Sequence, residues 1–372
     1  MMLTPRPYQK RAIDAAIQWM RKNTESCVLD LSMSAGKSII AAFIAYEMHK
    51  ISGGKKVLVL CPNATLVQQN AEKYAMLSDE YSIYSASISK SLRYPVIFAT
   101  PLSFVSVVDD THGDFCCVVV DEGDQITETI KTIIATLRNK NPLLRVCAMT
   151  GTPYRTGEGW IAEMDVDGSI IEEVTNPYYK KIVARVSPRE LIDLGYATPP
   201  NVVNVSEKYD TSNLALTSGG TFRQVDIDHA FVGKGTKTAM VVEDVVNHAN
   251  AINARGVMLF GATIEHCKEI MQSLPAHNSG MINGEMGDRH NKRIIQQFRD
   301  QKIRYLVNVN MATVGFSCDH VDIIAILRAT ESSRLYQQIL GRGMRLDPHK
   351  KEFLLLDYTD NIQNIFPSGD VF

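Results

Sequence analysis

The feature that most constrains this chain is a series of short apolar runs separated by stretches with helical period. Cys27–Leu31, Lys56–Leu60, Val96–Ala99, Cys116–Val120 and Val146–Met149 lack a regular in–out alternation, and several are rich in Val or Ile. A strand with one wet face alternates, whereas a strand covered on both faces does not. Helical stretches such as Lys37–Lys50 and Thr65–Tyr74 lie between these runs. Strand and helix in turn predict an α/β fold, with a mainly parallel sheet and right-handed crossovers.

The pattern returns near the C-terminus. Gly256–Phe260, Tyr305–Val309, Ile323–Leu327 and Glu352–Asp357 read as strands, and Thr263–Leu274, Asp288–Asp300 and Ser333–Met344 as helices. Within Asp288–Asp300, Ile294, Ile295 and Phe298 form an apolar stripe, with Asp288 as the expected N-cap. Two α/β domains follow, 1–155 and 237–372. The stretch 156–236 is expected to hold a connection and loops, partly belonging to the second domain. Gly157, Gly159, Gly168, Pro199, Pro200 and Ser218–Gly220 punctuate it. No internal repeat is strong enough to use.

Bulk properties narrow the function classes. A chain of 372 residues, 45% hydrophobic, can bury sizeable cores. The formal net charge of −2 gives no global sign of nucleic acid, so any basic track is local. Seven scattered cysteines form no Cys-x-x-Cys pair, which leaves zinc and thioredoxin-like readings without support and suits reduced thiols in the cytoplasm. Met1–Gln9 has no signal-peptide core, and no apolar run reaches the length of a membrane span.

Four segments point to phosphate chemistry. Gly36-Lys37-Ser38 follows the first strand and opens a helix, where backbone N–H groups and the helix N-terminus face an anion. Lys37 would reach the β- and γ-phosphates of ATP, and the Ser38 hydroxyl would bind Mg²⁺. The residue four before the Gly-Lys pair is Leu31 rather than a small one, and the loop is Ser32-Met33-Ser34-Ala35. Cys116–Val120 ends in Asp121-Glu122-Gly123-Asp124, at the strand end where open α/β sheets bind ligands. Asp121 suits a magnesium ligand, and Glu122 suits a base that orients and deprotonates water. The hydroxyls of Thr150-Gly151-Thr152-Pro153 could link hydrolysis to domain movement. Gln338, Arg342 and Arg345, at i, i+4 and i+7 of a predicted helix, share one face, and the planar arginines would supply positive charge to the transferring phosphate. Gly341 and Gly343 beside them are expected to permit close approach across a cleft.

In order and spacing these segments resemble superfamily 2 helicases over nearly the whole chain. Arg6-Pro7-Tyr8-Gln9 looks like the adenine-reading motif, with Gln9 as base reader, and Ser34 through Ser38 looks like motif I. Cys61-Pro62-Asn63 with Leu66 and Gln69 resembles motif Ia, and Ala99-Thr100-Pro101 resembles motif Ib or Ic. Asp121–Asp124 is similar to motif II and Thr150–Pro153 to motif III. Leu259–Thr263 resembles motif IV, Thr313–Ser317 motif V, and Gln338–Arg345 motif VI. Gln338 at the head of motif VI and Gly-Thr-Pro in motif III resemble the restriction-motor, XPB-like and phage branch-migration group, as does Leu191–Pro200. Two departures stand out: Ser34 replaces a usual glycine, and Ser317 stands where this group often has Asp.

The resemblance implies two tandem RecA-like domains, each a mainly parallel sheet flanked by helices, with the ATP site in the cleft between them. It implies ATP and Mg²⁺ as ligands, with Arg6, Gln9, Ser34, Ala35, Gly36, Lys37, Ser38 and Gly315 at the nucleotide. Pro62, Asn63, Thr100, Gly261 and Thr313 would contact nucleic acid. The expected activity is DNA-dependent ATP hydrolysis coupled to translocation or to remodelling of branched DNA, with any wedge in the loops Ser206–Gly235. An RNA helicase and a nucleotide-gated clamp with little turnover are the alternatives. A metabolic P-loop kinase would leave motifs V and VI without a job.

Overall fold

The computed structural model describes residues 3–111, 114–155, 159–217, 221–309, 318–330, 332–366 and 371. The chain divides into two compact units, Met1–Glu190 and Leu191–Phe372. Among the described residues no helix is long and apolar enough to cross a membrane.

The first unit holds strands β1 (Cys27–Leu31), β2 (Lys56–Leu60), β3 (Tyr81–Ser85), β4 (Ser89–Lys90), β5 (Val96–Ala99), β6 (Phe115–Asp121) and β7 (Arg145–Thr150). After a small hairpin of β8 (Tyr154–Arg155) and β9 (Gly159–Trp160), β10 (Ala162–Met164) and β11 (Tyr179–Val186) return to the main sheet. Its order is β10-β11-β1-β7-β6-β2-β5-β3-β4. All neighbours run parallel except β3 and β4. Every residue of β6 is buried, as its unbroken apolar run requires. Helices α1 (Pro7–Lys22), α2 (Lys37–Ile51), α3 (Ala64–Tyr74), α4 (Pro101–Phe104) and α5 (Glu128–Lys140) complete the layers. On α5, Ile130, Ile133, Ile134 and Leu137 form one buried stripe, packed in the same core as Val118, Val120 and Val146. The Thr127 side chain caps that helix by accepting from Ile130 N. The short α6 (Pro188–Asp193) lies at the boundary of the units.

Among the described residues the second unit has six parallel strands in the order β12-β17-β16-β13-β15-β14. They are β12 (Pro200–Val203), β13 (Gly256–Gly261), β14 (Ser279–Ile282), β15 (Tyr305–Asn308), β16 (Val321–Leu327) and β17 (Phe353–Asp357). Its helices are α7 (Gln224–Phe231), α8 (Gly235–Ala251), α9 (Ile264–Ser273), α10 (Asp288–Arg299), α11 (Ser333–Gly343) and α12 (Asn361–Ile365).

Two helix ends differ from the sequence expectation. The N-cap of α10 is Gly287, at φ 74°, so Asp288 is a first-turn residue whose charge faces the helix dipole instead of capping it. α11 stops at Gly343, so Arg345 does not share its face with Gln338 and Arg342. Thr198 holds the chain off the helical path there. Its N–H donates to the Met344 carbonyl and its hydroxyl to the Arg345 carbonyl at 2.9 Å.

Candidate functional site

The loop between β1 and α2 is braced from α1. Gly36 has φ 75°, a left-handed conformation that a side chain strains, and a Cβ there would sit 2.6 Å from Gln9 Nε2. Gln9 Nε2 donates to the Ala35 carbonyl at 3.0 Å, Tyr8 OH donates to the same carbonyl at 3.2 Å, and Arg6 N donates to Gln9 Oε1 at 2.9 Å. Gln9 is thus buried with both ends of its amide engaged by protein, a placement that shapes the loop. The Ser32 and Ser34 hydroxyls are buried without a partner among the described residues. Lys37 and Ser38 form the first turn of α2, where helix N–H groups lack intrahelical acceptors. Orphan hydroxyls, free N–H groups and one ammonium at a helix N-terminus fit a polyphosphate.

The end of β6 supplies the opposite charge. Lys37 Nζ lies 2.8 Å from Glu122 Oε1, both side chains being 13% exposed. Glu122 has φ 53°, an uncommon conformation for a non-glycine residue, of the kind that clusters at functional sites. The following turn is locked: Gly123 N donates to the Met149 carbonyl at 2.9 Å, and Tyr179 OH on β11 donates to the Gly123 carbonyl at 2.8 Å. A Cβ on Gly123 would lie 2.5 Å from that of Ala148. Asp121 Oδ1 accepts from Glu122 N at 3.1 Å, and Oδ2 accepts from Asn70 Nδ2 at 2.9 Å. Thr150 Oγ1 donates to Asp124 Oδ1 at 2.9 Å and accepts from Thr152 N at 3.0 Å, which joins the β7 turn to the acidic turn.

Charges here are tightly balanced. Burial pushes the Asp121 carboxyl above its ordinary range and neighbouring Glu122 adds to this, against Lys37 and Asn70. Burial depresses Lys37, but Glu122, Asp121 and Asp124 together outweigh it, so the ammonium is held charged. A divalent cation at Asp121 would remove the penalty on its charged form.

Pro62 and Thr100 lie beside this turn, and Asn63 follows Pro62 at the start of α3. Asn63 caps α3, its Oδ1 accepting from Leu66 N at 3.0 Å, and Thr100 Oγ1 donates to Ser103 Oγ at 2.9 Å. Pro62 and Thr100 line a cavity of about 540 Å³ that also touches Ser85, Thr127, Asp121 and Glu122. Its lining includes hydroxyls and no Lys or Arg among the described residues.

In the second unit, Gln338 and Arg342 are buried one turn apart on α11. Burial draws the Arg345 guanidinium down, opposed by Asp319. The close approach that Gly343 allows is to its own sheet: a Cβ would meet the Phe353 ring at 2.4–2.6 Å. Gly261 is likewise buried, and a Cβ there would lie 2.5 Å from Cys267 Sγ on α9. Thr313 and Gly315 lie outside the described residues. Sequence reasoning missed Asn70 and Tyr179. Asn70 carried a usable signal: it interrupts the apolar stripe Val67, Ala71, Tyr74 of α3.

Residues 2–155 match the family described as "Type III restriction enzyme, res subunit", and residues 239–347 match the "Helicase conserved C-terminal domain". The chain belongs to the superfamily 2 helicases, in the restriction-motor group. It is 22% identical over 376 residues to irc3 of Schizosaccharomyces pombe, named as a mitochondrial ATP-dependent helicase, covering 97% of this chain and 58% of that protein. It is 21% identical over 395 residues to the type I restriction enzyme EcoAI endonuclease subunit of Escherichia coli, covering 95% of this chain and 46% of that subunit. The chain therefore spans about half the length of these relatives. A solved fragment named as an HsdR subunit of a type I restriction enzyme from Vibrio vulnificus matches with a TM-score of 0.73 at 18% identity, covering 99% of this chain and 67% of that one. In a superfamily 2 helicase the two units are tandem RecA-like domains, as their parallel sheets and flanking helices fit.

Proposed function

We propose that this helicase is an ATP-driven DNA motor, hydrolysing ATP with Mg²⁺ and moving on, or remodelling, DNA that includes branched forms, in replication, recombination or repair. The observation that carries the reading is the meeting of Lys37 with Glu122 at 2.8 Å, next to a cavity whose wall includes Asp121, Glu122 and the groove residues Pro62 and Thr100. Lys37 binds and neutralises the outer phosphates, helped by the first N–H groups of α2 and by Ser34, Ala35 and Gly36. Ser38 and Asp121 would hold Mg²⁺, which supplies charge neutralisation on the phosphates. Glu122 holds the attacking water and takes its proton. Arg342 and Arg345 of the second unit would balance charge on the transferring group, with Gln338 a neutral hydrogen-bonding partner. The Asp124–Thr150–Thr152 contacts tie the acidic turn to the β7 turn, so a change at one is felt at the other.

Nucleic acid would be held by hydroxyls and helix N–H groups on its phosphates, contacts that fix position without reading sequence. DNA rather than RNA is favoured by the likeness to restriction enzymes, and free, buried cysteines suit a cytoplasmic setting. Steady-state ATPase measured with single-stranded DNA, duplex, fork, four-way junction and RNA tests the reading. Stimulation greatest with a DNA form is expected. ATPase indifferent to every nucleic acid would refute the motor, and a preference for RNA would refute the choice of track. Binding without turnover would make the protein a clamp.

A further inference from the structure

Asn70 is a polar residue at an apolar position. α3 turns Val67, Asn70, Ala71 and Tyr74 inward, and Asn70 is 0% exposed. Burying an amide is costly unless its groups are paired. Only one end of Asn70 is paired. Nδ2 donates to Asp121 Oδ2 at 2.9 Å and lies 3.1 Å from Cys61 Sγ, while Oδ1 has no partner among the described residues. The carboxylate fixes which way the amide points, since the opposite orientation would set two acceptors against each other. A side chain present for packing alone would be aliphatic at this site.

We propose that Asn70 is a positioning residue for Asp121, holding one carboxylate oxygen so that the other faces of the group stay aimed at a divalent cation, and tying that aim to α3. This rests on the reading of Asp121 as a magnesium ligand given above. The Asp121 carboxylate is held from two sides, by its neighbour's N–H on Oδ1 and by Asn70 on Oδ2. Each oxygen keeps a further lone-pair direction for a cation. Without Asn70 one restraint remains, and the terminal torsion of an aspartate is broad. The restraint also has a lever. Asn63 caps the start of α3, seven residues earlier, about 10 Å of helical rise. A displacement of that end by bound nucleic acid is carried along a rigid helix to Asp121.

The test is Asn70→Leu, close in shape, which removes the donor and the unpartnered oxygen together; Asn70→Ala serves if the leucine variant does not fold. Binding of a fluorescent ATP analogue is titrated with Mg²⁺, and in EDTA, alongside thermal melting. The Mg²⁺ midpoint is expected to rise about tenfold, the scale seen when a partner of a metal ligand is lost. Affinity in EDTA should match wild type, and Tm should be equal or higher. Single-stranded DNA should lower the midpoint in wild type and leave the variant unmoved. An unchanged midpoint overturns the proposal, as does equal weakening with and without Mg²⁺, the mark of a merely structural role. A DNA shift absent from wild type, or equal in both proteins, overturns the lever. Wild-type binding indifferent to Mg²⁺ would overturn the metal site itself, a failure visible without any variant.

Discussion

Glu122→Gln separates the two jobs proposed for one side chain. In the free protein Glu122 pairs with Lys37, and on the proposed reading the phosphates of ATP would take that place. At 2.8 Å and an effective dielectric of about 20, the pair's gross attraction is on the order of 6 kcal/mol. Much of this is offset by the desolvation that both groups have undergone. Asp121 and Asp124 also attract Lys37, and a glutamine oxygen can still accept its hydrogen bond. A net of about 1–3 kcal/mol remains, which ATP no longer has to overcome, so the variant should bind ATP roughly 5- to 150-fold more tightly. The free variant should melt lower than wild type, with ATP restoring the difference. Turnover should fall by about 10²–10⁴-fold, the usual worth of a general base. Calorimetric titration with Mg·ATP and a steady-state ATPase assay read the two effects. Equal or weaker affinity would show that phosphates do not compete with Glu122 for Lys37. Undiminished turnover would remove Glu122 from the chemistry.

Arg342→Ala should slow hydrolysis by about 10³–10⁵-fold with a smaller change in ATP affinity, and a fragment ending at Glu190 should bind ATP yet hydrolyse it poorly; full ATPase from that fragment would remove the second unit from the reaction. Gly343→Ala should lower stability by about 1–3 kcal/mol, because the added methyl meets the Phe353 ring; an unchanged Tm would disprove that packing constraint. His266 ties stability to pH. Burial lowers its pKa to about 4, and its Nδ1 already accepts from Ala262 N while Nε2 meets Tyr209 OH at 3.0 Å. The unfolded chain takes a proton near pH 6.5 that the folded protein refuses, so stability is full above that pH and falls as pH drops towards 4. The His266 contribution to stability should fall by about 2 kcal/mol between pH 7 and pH 5, read by denaturant unfolding as the difference between wild type and His266→Gln, because Asp357, which burial raises to about 6, titrates with the opposite sign in the same range; an equal pH dependence of the two proteins would refute it.

Strands covered on both faces were legible in the sequence because their apolar runs lack alternation and are too short for buried helices. β1, β2 and β5 lie where such runs predict them. β11 escaped for the opposite reason. Its burial largely alternates, and Lys180, Lys181 and Arg185 dilute its hydrophobic signal, although it pairs with β1 along five residues. β3 is Tyr-Ser-Ile-Tyr-Ser, with Ile83 its one aliphatic residue, and its partly exposed face gave no run to find. α8 opens on Gly235, a residue that argues against a helix until Val241, Val242 and Val245 are seen packed in a core.

The site was legible where its chemistry is local and hidden where it is not. A phosphate loop is a strand end, a left-handed glycine and a helix start, all within a few residues, so the string shows it whole. The residues that hold its parts come from far away. Asn70 reaches Asp121 across 51 positions and Tyr179 reaches Gly123 across 56, and neither has a neighbour in sequence that explains it. The glycines show the same limit from the other side. Gly343 sits inside a helicase motif, and its conformational cost in a helix suggests a role in approach to a partner. Phe353, ten residues on, fills the space a side chain would need. A small residue says only that something is close. Whether that something is a ligand or the protein's own sheet is decided by packing, and Gly36, which abuts Gln9, and Gly261, which abuts Cys267, answer as Gly343 does. What distinguishes Gly36 is its backbone: φ 75° at the start of α2 is a demand that packing does not make, and it aligns the first N–H groups of that helix on the place where phosphates are proposed to bind.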